Sequence, residues 1–305
     1  RWFRGNWISK IHRSALVATF SGMKVMALQY SPAWLDPRCS HEMVEHALDA
    51  ACPPTGSFIV LPEMCETGWS LDAEATCRGD SVDWASELSM RRGVHLQIGF
   101  ATPVAREPGA ANAALIAHPD GSTSQVYEKV HPFGFTEEPR HYAAGRRIVI
   151  DRVGDFQVSP SICYDLRFPE LHRLAIAAGA EILAIGANWP RERAAHWRAL
   201  VIARAIENQA LVIAVNRTGN DPSFEYAGGS LIVAPDGRIL SEAGTDPMML
   251  EVDIDRAMIE SWRQSFPALQ DRHPELLGDI EVATGRRDVP GRDRHADVDD
   301  SSPLR

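Results

Sequence analysis

The chain lacks several things that would have decided its class at once. No apolar run in its 305 residues approaches the roughly 20 that a membrane-crossing helix needs. Basic residues are not in excess: Lys and Arg number 31 against 41 Asp and Glu, a formal charge of −10. Phosphate binding needs clustered Lys and Arg, so this balance argues against a nucleic-acid partner. There is no G-x-G-x-x-G loop, no Walker loop and no G-x-S-x-G elbow, which removes the usual dinucleotide, nucleotide and serine-hydrolase signatures. Cysteine is scarce and odd in number (Cys39, Cys52, Cys65, Cys77 and Cys163), with no C-x-x-C pair. A chain this long needs no disulfide staples, so these read as free thiols in a reducing, cytoplasmic setting.

Hydrophobic residues make up 45% of the sequence, enough for a large core. Residues 1–22 hold Arg1, Arg4, Lys10 and Arg13 with no acid, and read as an upstream extension before Met23. The tail, 278–305, is dense in Asp and Arg, with few apolar residues. It is expected to be disordered. One domain is therefore predicted over 23–277.

Within it, short apolar runs suit strands buried on both faces. They lie at Lys24–Tyr30, Ser57–Leu61, Val94–Phe100, Asn112–Ala117, Ile182–Ile185 and Leu211–Val215. Helix-length segments separate them at Pro37–Cys52, Ser81–Arg92, Pro169–Gly179 and Ala194–Asn208. The alternation predicts an α/β domain. Pro-Asp-Gly occurs after an apolar run at 119–121 and again at 235–237, each a hairpin signal, and a third hairpin is expected at Arg152–Asp155. Hairpins among βα units make the sheets mixed.

Candidate chemistry narrows quickly. His41-Glu42 and Glu45-His46 suggest a zinc helix, but histidines five apart diverge by about 140° and do not share one ion. Three segments remain. Glu63 follows a buried strand, where a carboxylate is costly without a partner. Lys129 lies at the end of a hairpin strand, where taken alone it reads as a snorkelling edge lysine. Cys163 ends an apolar strand just before the helix expected at Pro169, where backbone N–H groups could lower its pKa and receive an oxyanion.

Taken together, Leu61-Pro-Glu-Met-Cys-Glu-Thr-Gly68, Tyr127-Glu-Lys-Val-His-Pro132 and Ser161-Ile-Cys-Tyr-Asp-Leu-Arg-Phe-Pro-Glu170 resemble the nitrilase superfamily of carbon–nitrogen hydrolases. The resemblance extends over about Met23 to Ala268. It takes in Glu138 to Gly145, Gly186-Ala-Asn-Trp-Pro190, Arg204–Gln209 and Asn216-Arg217. Cys-Tyr-Asp-Leu-Arg-Phe-Pro-Glu is typical of the amidase branch. Ala-Asn-Trp-Pro, His196-Trp197 and Phe266–Gln270 are most similar to omega-amidases acting on 2-oxoglutaramate.

The resemblance implies a four-layer α/β/β/α sandwich with two mixed β-sheets, no metal or organic cofactor, and a homodimer or larger homo-oligomer. It implies a triad of Glu63 as general base, Lys129 as oxyanion holder and Cys163 as nucleophile. Glu138 would support Lys129, and the Tyr164 backbone N–H would share the oxyanion. A small-molecule omega-amide carries a carboxylate away from the amide. Arg140, Arg167 and Arg191 are candidates to bind it, with Asn188 and Trp189 beside the substrate. Arg167, inside the cysteine motif, is better suited to supporting the site's architecture. Rival expectations are another superfamily amidase, acting on deaminated glutathione or an N-carbamoyl compound, and a catalytically silent binding protein of the same fold.

Overall fold

A computed structural model describes residues 22–272, 281–284 and 286–287. The chain begins with β1 (Gly22–Gln29), α1 (Pro37–Ala51), β2 (Phe58–Val60), α2 (Ala73–Thr76), α3 (Ser81–Arg92), β3 (His95–Pro103) and β4 (Ala110–Ala117). The short strands β5 (Thr123–Ser124) and β6 (Tyr127–Glu128) lead through α4 (Glu138–His141) to β7 (Arg147–Val153) and β8 (Phe156–Ile162). Next come α5 (Pro169–Ala177), β9 (Ile182–Ala187), α6 (Ala194–Asn208) and β10 (Leu211–Asn216). The small hairpin β11 (Thr218–Asn220) and β12 (Glu225–Ala227) precedes β13 (Leu231–Val233), β14 (Ile239–Glu242), β15 (Met248–Asp255) and α7 (Arg256–Ser265). Two further strands are β16 (Glu281–Thr284) and β17 (Arg286–Arg287).

Local chemistry explains the helix ends. Pro37 opens α1 where a missing N–H costs nothing, and the Asp36 side chain accepts from the Cys39 N–H at 3.0 Å. Gly93 ends α3 in the left-handed conformation, φ 66°. The four helices expected from the sequence are α1, α3, α5 and α6, displaced by at most two residues.

The strands form two large mixed sheets. One runs β15-β1-β2-β3-β4-β5-β17, with β6 also on β4; the other runs β14-β13-β10-β9-β8-β7-β16. Alternation along each strand sets the layers. In β1, Val25 and Ala27 meet Ile182, Ala184, Leu211 and Ile213 of the facing sheet. Met26 and Leu28 turn the other way, onto Val44 and Leu48 of α1 and Ala85 and Leu88 of α3. In the second sheet Leu183, Ile185 and Val212 pack on Leu174 of α5 and Trp197 and Val201 of α6. Every strand buried on both faces reads as a continuous apolar run because it serves two of these cores. The result is the expected α/β/β/α sandwich.

All three expected hairpins form. Gly121 (φ 81°) and Gly237 (φ 89°) close the two Pro-Asp-Gly turns, and β7 pairs antiparallel with β8 across Gly154. Pairing differs from expectation at the far end of the domain. β16 adds to β7 and β17 to β5, beyond the boundary expected at Leu277. Sheet pairing uses backbone groups and needs no apolar side chains, so composition gave no sign of it. The expected extension, apart from Gly22, and residues 288–305 of the tail lie outside the described residues.

One packing constraint positions the site. The Pro62–Glu63 backbone passes between the two sheets, and a glycine faces it from each. A Cβ on Gly99 of β3 would lie 2.7 Å from the Pro62 carbonyl oxygen and 2.8 Å from Glu63 Cα. A Cβ on Gly186 of β9 would lie 2.8 Å from the Leu61 carbonyl oxygen and 3.0 Å from Glu63 N. Backbone on both sides leaves nowhere for a methyl group. Gly186→Ala or Gly99→Ala is therefore expected to destabilise the fold by about 1–3 kcal/mol and to lower turnover more than the stability loss explains. Urea unfolding and initial rates on the same preparation check it; unchanged values would show that the sheets can part there.

His172 on α5 gives a second prediction. It is buried, bonded through Nε2 to Ser161 Oγ of β8 at 3.1 Å and through Nδ1 to the Phe168 carbonyl at 3.2 Å. Burial, then the nearby Arg204 charge, push its pKa down to about 4. The unfolded chain binds this proton from about pH 6.5 downward, whereas the folded chain binds it only near 4. Stability from the neutral imidazole is thus complete above the unfolded value and is lost as pH falls between the two. Comparing urea midpoints from pH 7 to 4.5, His172→Asn should show a shallower decline than the wild type.

Candidate active site

Glu63 follows β2, Lys129 follows β6 and Cys163 follows β8, so the three lie just past strand ends in both sheets. Lys129 is fixed along its backbone, donating to the Asn112 carbonyl at 2.8 Å and accepting from Gly145 N–H at 2.8 Å. Gly145 admits no side chain, because a Cβ there would stand 2.1 Å from the Glu128 carbonyl oxygen. That close approach explains the glycine singled out in the sequence.

The side chains converge in a buried network. Lys129 Nζ donates to Glu63 Oε1 at 2.8 Å and to Glu138 Oε1 and Oε2 at 3.0 and 3.1 Å. Asn112 Nδ2 donates to Glu63 Oε1 at 2.7 Å and to Glu138 Oε1 at 3.0 Å. Asn188 donates its backbone N–H to Glu63 Oε2 at 2.9 Å, and its amide to the Glu63 carbonyl at 2.7 Å. Phe133 N–H donates to Glu138 Oε2 at 2.5 Å. Glu63, Lys129 and Glu138 are each at most 1% exposed. Charges this deep persist only when paired and fully bonded, and here one ammonium serves two carboxylates.

Electrostatics sets the resting protonation. Burial opposes the charge on Lys129, but Glu138 and then Glu63 outweigh it and hold its pKa above the usual lysine value. Lys129 is therefore cationic. Burial pushes the Cys163 thiol well up, the Glu63 charge adds to this, and Lys129 only partly offsets it. This differs from the lowered pKa expected from backbone N–H groups: depth and the neighbouring carboxylate dominate. The thiol rests protonated, with the Glu63 carboxylate acting on it.

Cys163 opens a 3-10 turn (Cys163–Arg167) in the left-handed region, φ 43°. A β-carbon there costs energy and persists only where the surroundings over-determine it. Two buried side chains do so. Asp165 accepts from Tyr127 Oη at 2.7 Å, Ile162 N at 3.1 Å and His131 N at 2.9 Å. It thereby ties the cysteine turn to the strand end that carries Lys129. Arg204, from α6, donates to the Leu166 carbonyl through Nε at 3.0 Å and Nη2 at 2.6 Å.

The expected substrate residues divide. Asn188 is spent largely on Glu63, although its Oδ1 has no partner among the described residues. Trp189 is buried, donates through Nε1 to the Arg193 carbonyl at 2.8 Å, and carries the Arg167 guanidinium 4.7 Å above its ring. The Tyr164 ring packs against Phe133 and Phe168. Arg140 and Arg191 are exposed and already paired, with Glu137 and Glu225 respectively. Cys65, two residues from Glu63, packs with the α1–α3 core and does not line the site. His41 bonds Glu66 at 2.7 Å, and among the described residues no group of three or more metal-ligating side chains is assembled. Sequence reasoning missed Asn112, Asp165 and Arg193. Asn112 did leave a signal, as the one polar residue in the apolar strand Ala110–Ala117.

Comparison with known proteins shows the family. A 2-oxoglutaramate amidase of Bacillus subtilis (strain 168) is 37% identical over 222 residues, 72% of this chain and 85% of that protein. Omega-amidase YafV of Escherichia coli (strain K12) is 33% identical over 82% of this chain and 96% of its own length. A Xanthomonas campestris CN-hydrolase superfamily protein, solved with an arsenic adduct in its active site, superposes with a TM-score of 0.77 at 31% identity. That alignment covers 84% of this chain and 99% of the other. The carbon–nitrogen hydrolase family profile matches residues 24–264, and with these relatives it settles that the chain belongs to the carbon–nitrogen hydrolases of the nitrilase superfamily.

Proposed function

We propose that the protein is an omega-amidase, hydrolysing 2-oxoglutaramate-like omega-amides to the acid and ammonia through a thioester on Cys163. The observation that carries this reading is the buried Glu63–Lys129–Glu138 network beside a cysteine held in a left-handed turn. The similarity to proteins named omega-amidase and 2-oxoglutaramate amidase supports the substrate class.

In this mechanism Glu63 takes the proton from Cys163 Sγ as the sulfur attacks the amide carbon. A C–S bond forms and the carbonyl electrons move onto oxygen. Lys129 Nζ and the Tyr164 backbone N–H hold that oxyanion; removal of one such donor costs about 10²–10³ in rate in other enzymes. The C–N bond then breaks, and Glu63 returns its proton to the leaving nitrogen, giving ammonia. Water, deprotonated by Glu63, attacks the thioester; the C–S bond breaks and sulfur regains its proton. The raised thiol pKa fits a base-coupled attack, because Cys163 gains a proton acceptor at the moment of reaction and carries no standing thiolate. Glu138 and Asn112 keep Lys129 and Glu63 in place. The homo-oligomer and the cytoplasmic location expected from the sequence belong to the same proposal, and sedimentation in solution checks the first.

Cys163→Ala should abolish ammonia release from 2-oxoglutaramate with little change in thermal midpoint, since it removes one sulfur from a turn held by Asp165 and Arg204. Turnover by that variant would overturn the nucleophile. Glu63→Gln, nearly equal in volume, should lower kcat by about 10²–10⁴. A panel of omega-amides, deaminated glutathione and N-carbamoyl amino acids measures the substrate class; no release from any short omega-amide would sink it.

A further inference from the structure

An omega-amide of a dicarboxylic acid presents a carboxylate several bonds from the scissile carbon, and the cation that receives it must be unpaired in the free enzyme. The arginines around the site differ sharply in this respect. Arg140, Arg191 and Arg204 each hold an acid of their own: Glu137, Glu225 and Glu207. Arg167 and Arg193 have no carboxylate partner among the described residues.

Both are instead laid across aromatic rings. The Arg167 guanidinium stands 4.7 Å from the Trp189 ring and 6.0 Å from that of Tyr164, the residue after Cys163. The Arg193 guanidinium stands 4.9 Å from Phe135 and 5.7 Å from Phe133. Phe133 in turn packs 4.9 Å from Tyr164, so the two stacks share one wall. A guanidinium held by a ring in place of an acid keeps its charge for a carboxylate, which its N–H edge grips with two parallel bonds.

We infer that Arg193, with Arg167 beside it, forms the clamp for the remote carboxylate of the substrate. The inference rests on the omega-amidase reading above. Arg193 is anchored for this task, because its carbonyl is the acceptor for Trp189 Nε1 and Trp189 follows the asparagine bonded to Glu63. The clamp is thus fixed through two successive residues to the general base. Burial and then repulsion from Arg193 lower the pKa of Arg167 from the usual arginine value. Two guanidinium charges beside this shared wall repel when no anion is present, and a bound carboxylate relieves that repulsion, so the pair selects for negative charge. Arg167 Nη2 also meets His196 Nδ1 at 3.3 Å, a contact that supplies no compensating negative charge. The rings of Phe133 and Phe135 offer the methylene segment of the substrate an apolar surface, and Phe135, 75% exposed, stands at the outer end.

The test compares two amides that differ only in the remote group, glutaramate and the neutral valeramide, with wild-type protein, Arg193→Gln, Arg193→Lys and the control Arg191→Gln. The expected result is a fall of about 10- to 100-fold in kcat/KM for glutaramate with Arg193→Gln, carried mainly by KM, and little change for valeramide. Arg193→Lys, which keeps the charge without the fork, should fall between, and it carries the test if the Gln variant does not fold. Arg191→Gln should match the wild type on both amides. If Arg193→Gln keeps the wild-type preference for glutaramate, or loses both activities equally, the clamp is overturned. A wild type that does not favour glutaramate over valeramide would instead overturn the omega-amidase reading itself, so the two failures are distinguishable.

Discussion

The Glu63 carboxylate is the point at which the two sheets are made to agree. It follows a strand of one sheet and is bonded by Asn112 from that same sheet, by Lys129 from its hairpin edge, and by Asn188 from just beyond the facing sheet. A carboxylate left unsatisfied at this depth would cost several kcal/mol, so the bonds are a condition of folding as much as of chemistry. Gly99 and Gly186 are the complementary requirement. They let the Glu63 backbone run through the narrow space between the sheets, where any side chain would collide with it. The whole sandwich is organised around admitting one charged residue to its interior and then satisfying it.

Around that centre the molecule separates the tasks of holding and reacting. Asp165 and Arg204 make no bond to the sulfur, yet between them they fix the strained turn that presents it. Glu138 and Asn112 stand behind Lys129. The raised pKa values of Lys129 and Cys163 follow from the same arrangement: two carboxylates and a buried thiol around one ammonium. In the proposed mechanism the cation is permanent and the nucleophile is latent, and the proton acceptor beside it decides when it reacts. Beside it the pattern reverses. The cations Arg167 and Arg193 have aromatic neighbours and no acid among the described residues, which is the ground for the proposed carboxylate clamp.

The fold was legible in the sequence wherever one residue pattern had one physical meaning. Apolar runs bounded by turn residues became strands buried on both faces, and Pro-Asp-Gly became hairpins at both places. The strands at 281–287 were illegible because backbone pairing leaves no mark on composition. Glu63 and Cys163 stood out as a carboxylate after a buried strand and a cysteine at a strand-to-helix turn, Lys129 alone read as an ordinary edge lysine, and the resemblance to one superfamily joined the three. The thiol pKa was misjudged because its sign depends on the balance between backbone N–H groups and burial, which no local stretch contains.

Substrate contacts were the least legible part, and the reason is geometric. Arg140, Arg191 and Arg193 are chemically identical in sequence, and all three lie close to the motifs. Glu137, three residues before Arg140, was within reach of a spacing rule, but only the tertiary structure decides that Glu225 neutralises Arg191 while Arg193 lies over Phe133 and Phe135 with no carboxylate partner among the described residues. Ion pairing across loops depends on which loops come together, and no spacing rule encodes that. The sequence by itself determined the layers and the family and pointed to Glu63, Lys129 and Cys163, because these rest on periodicity and on residue types with few alternative uses. The tertiary structure decided how the charges are distributed among them, because electrostatic partners are set by distance in space, which the linear order of the chain does not contain.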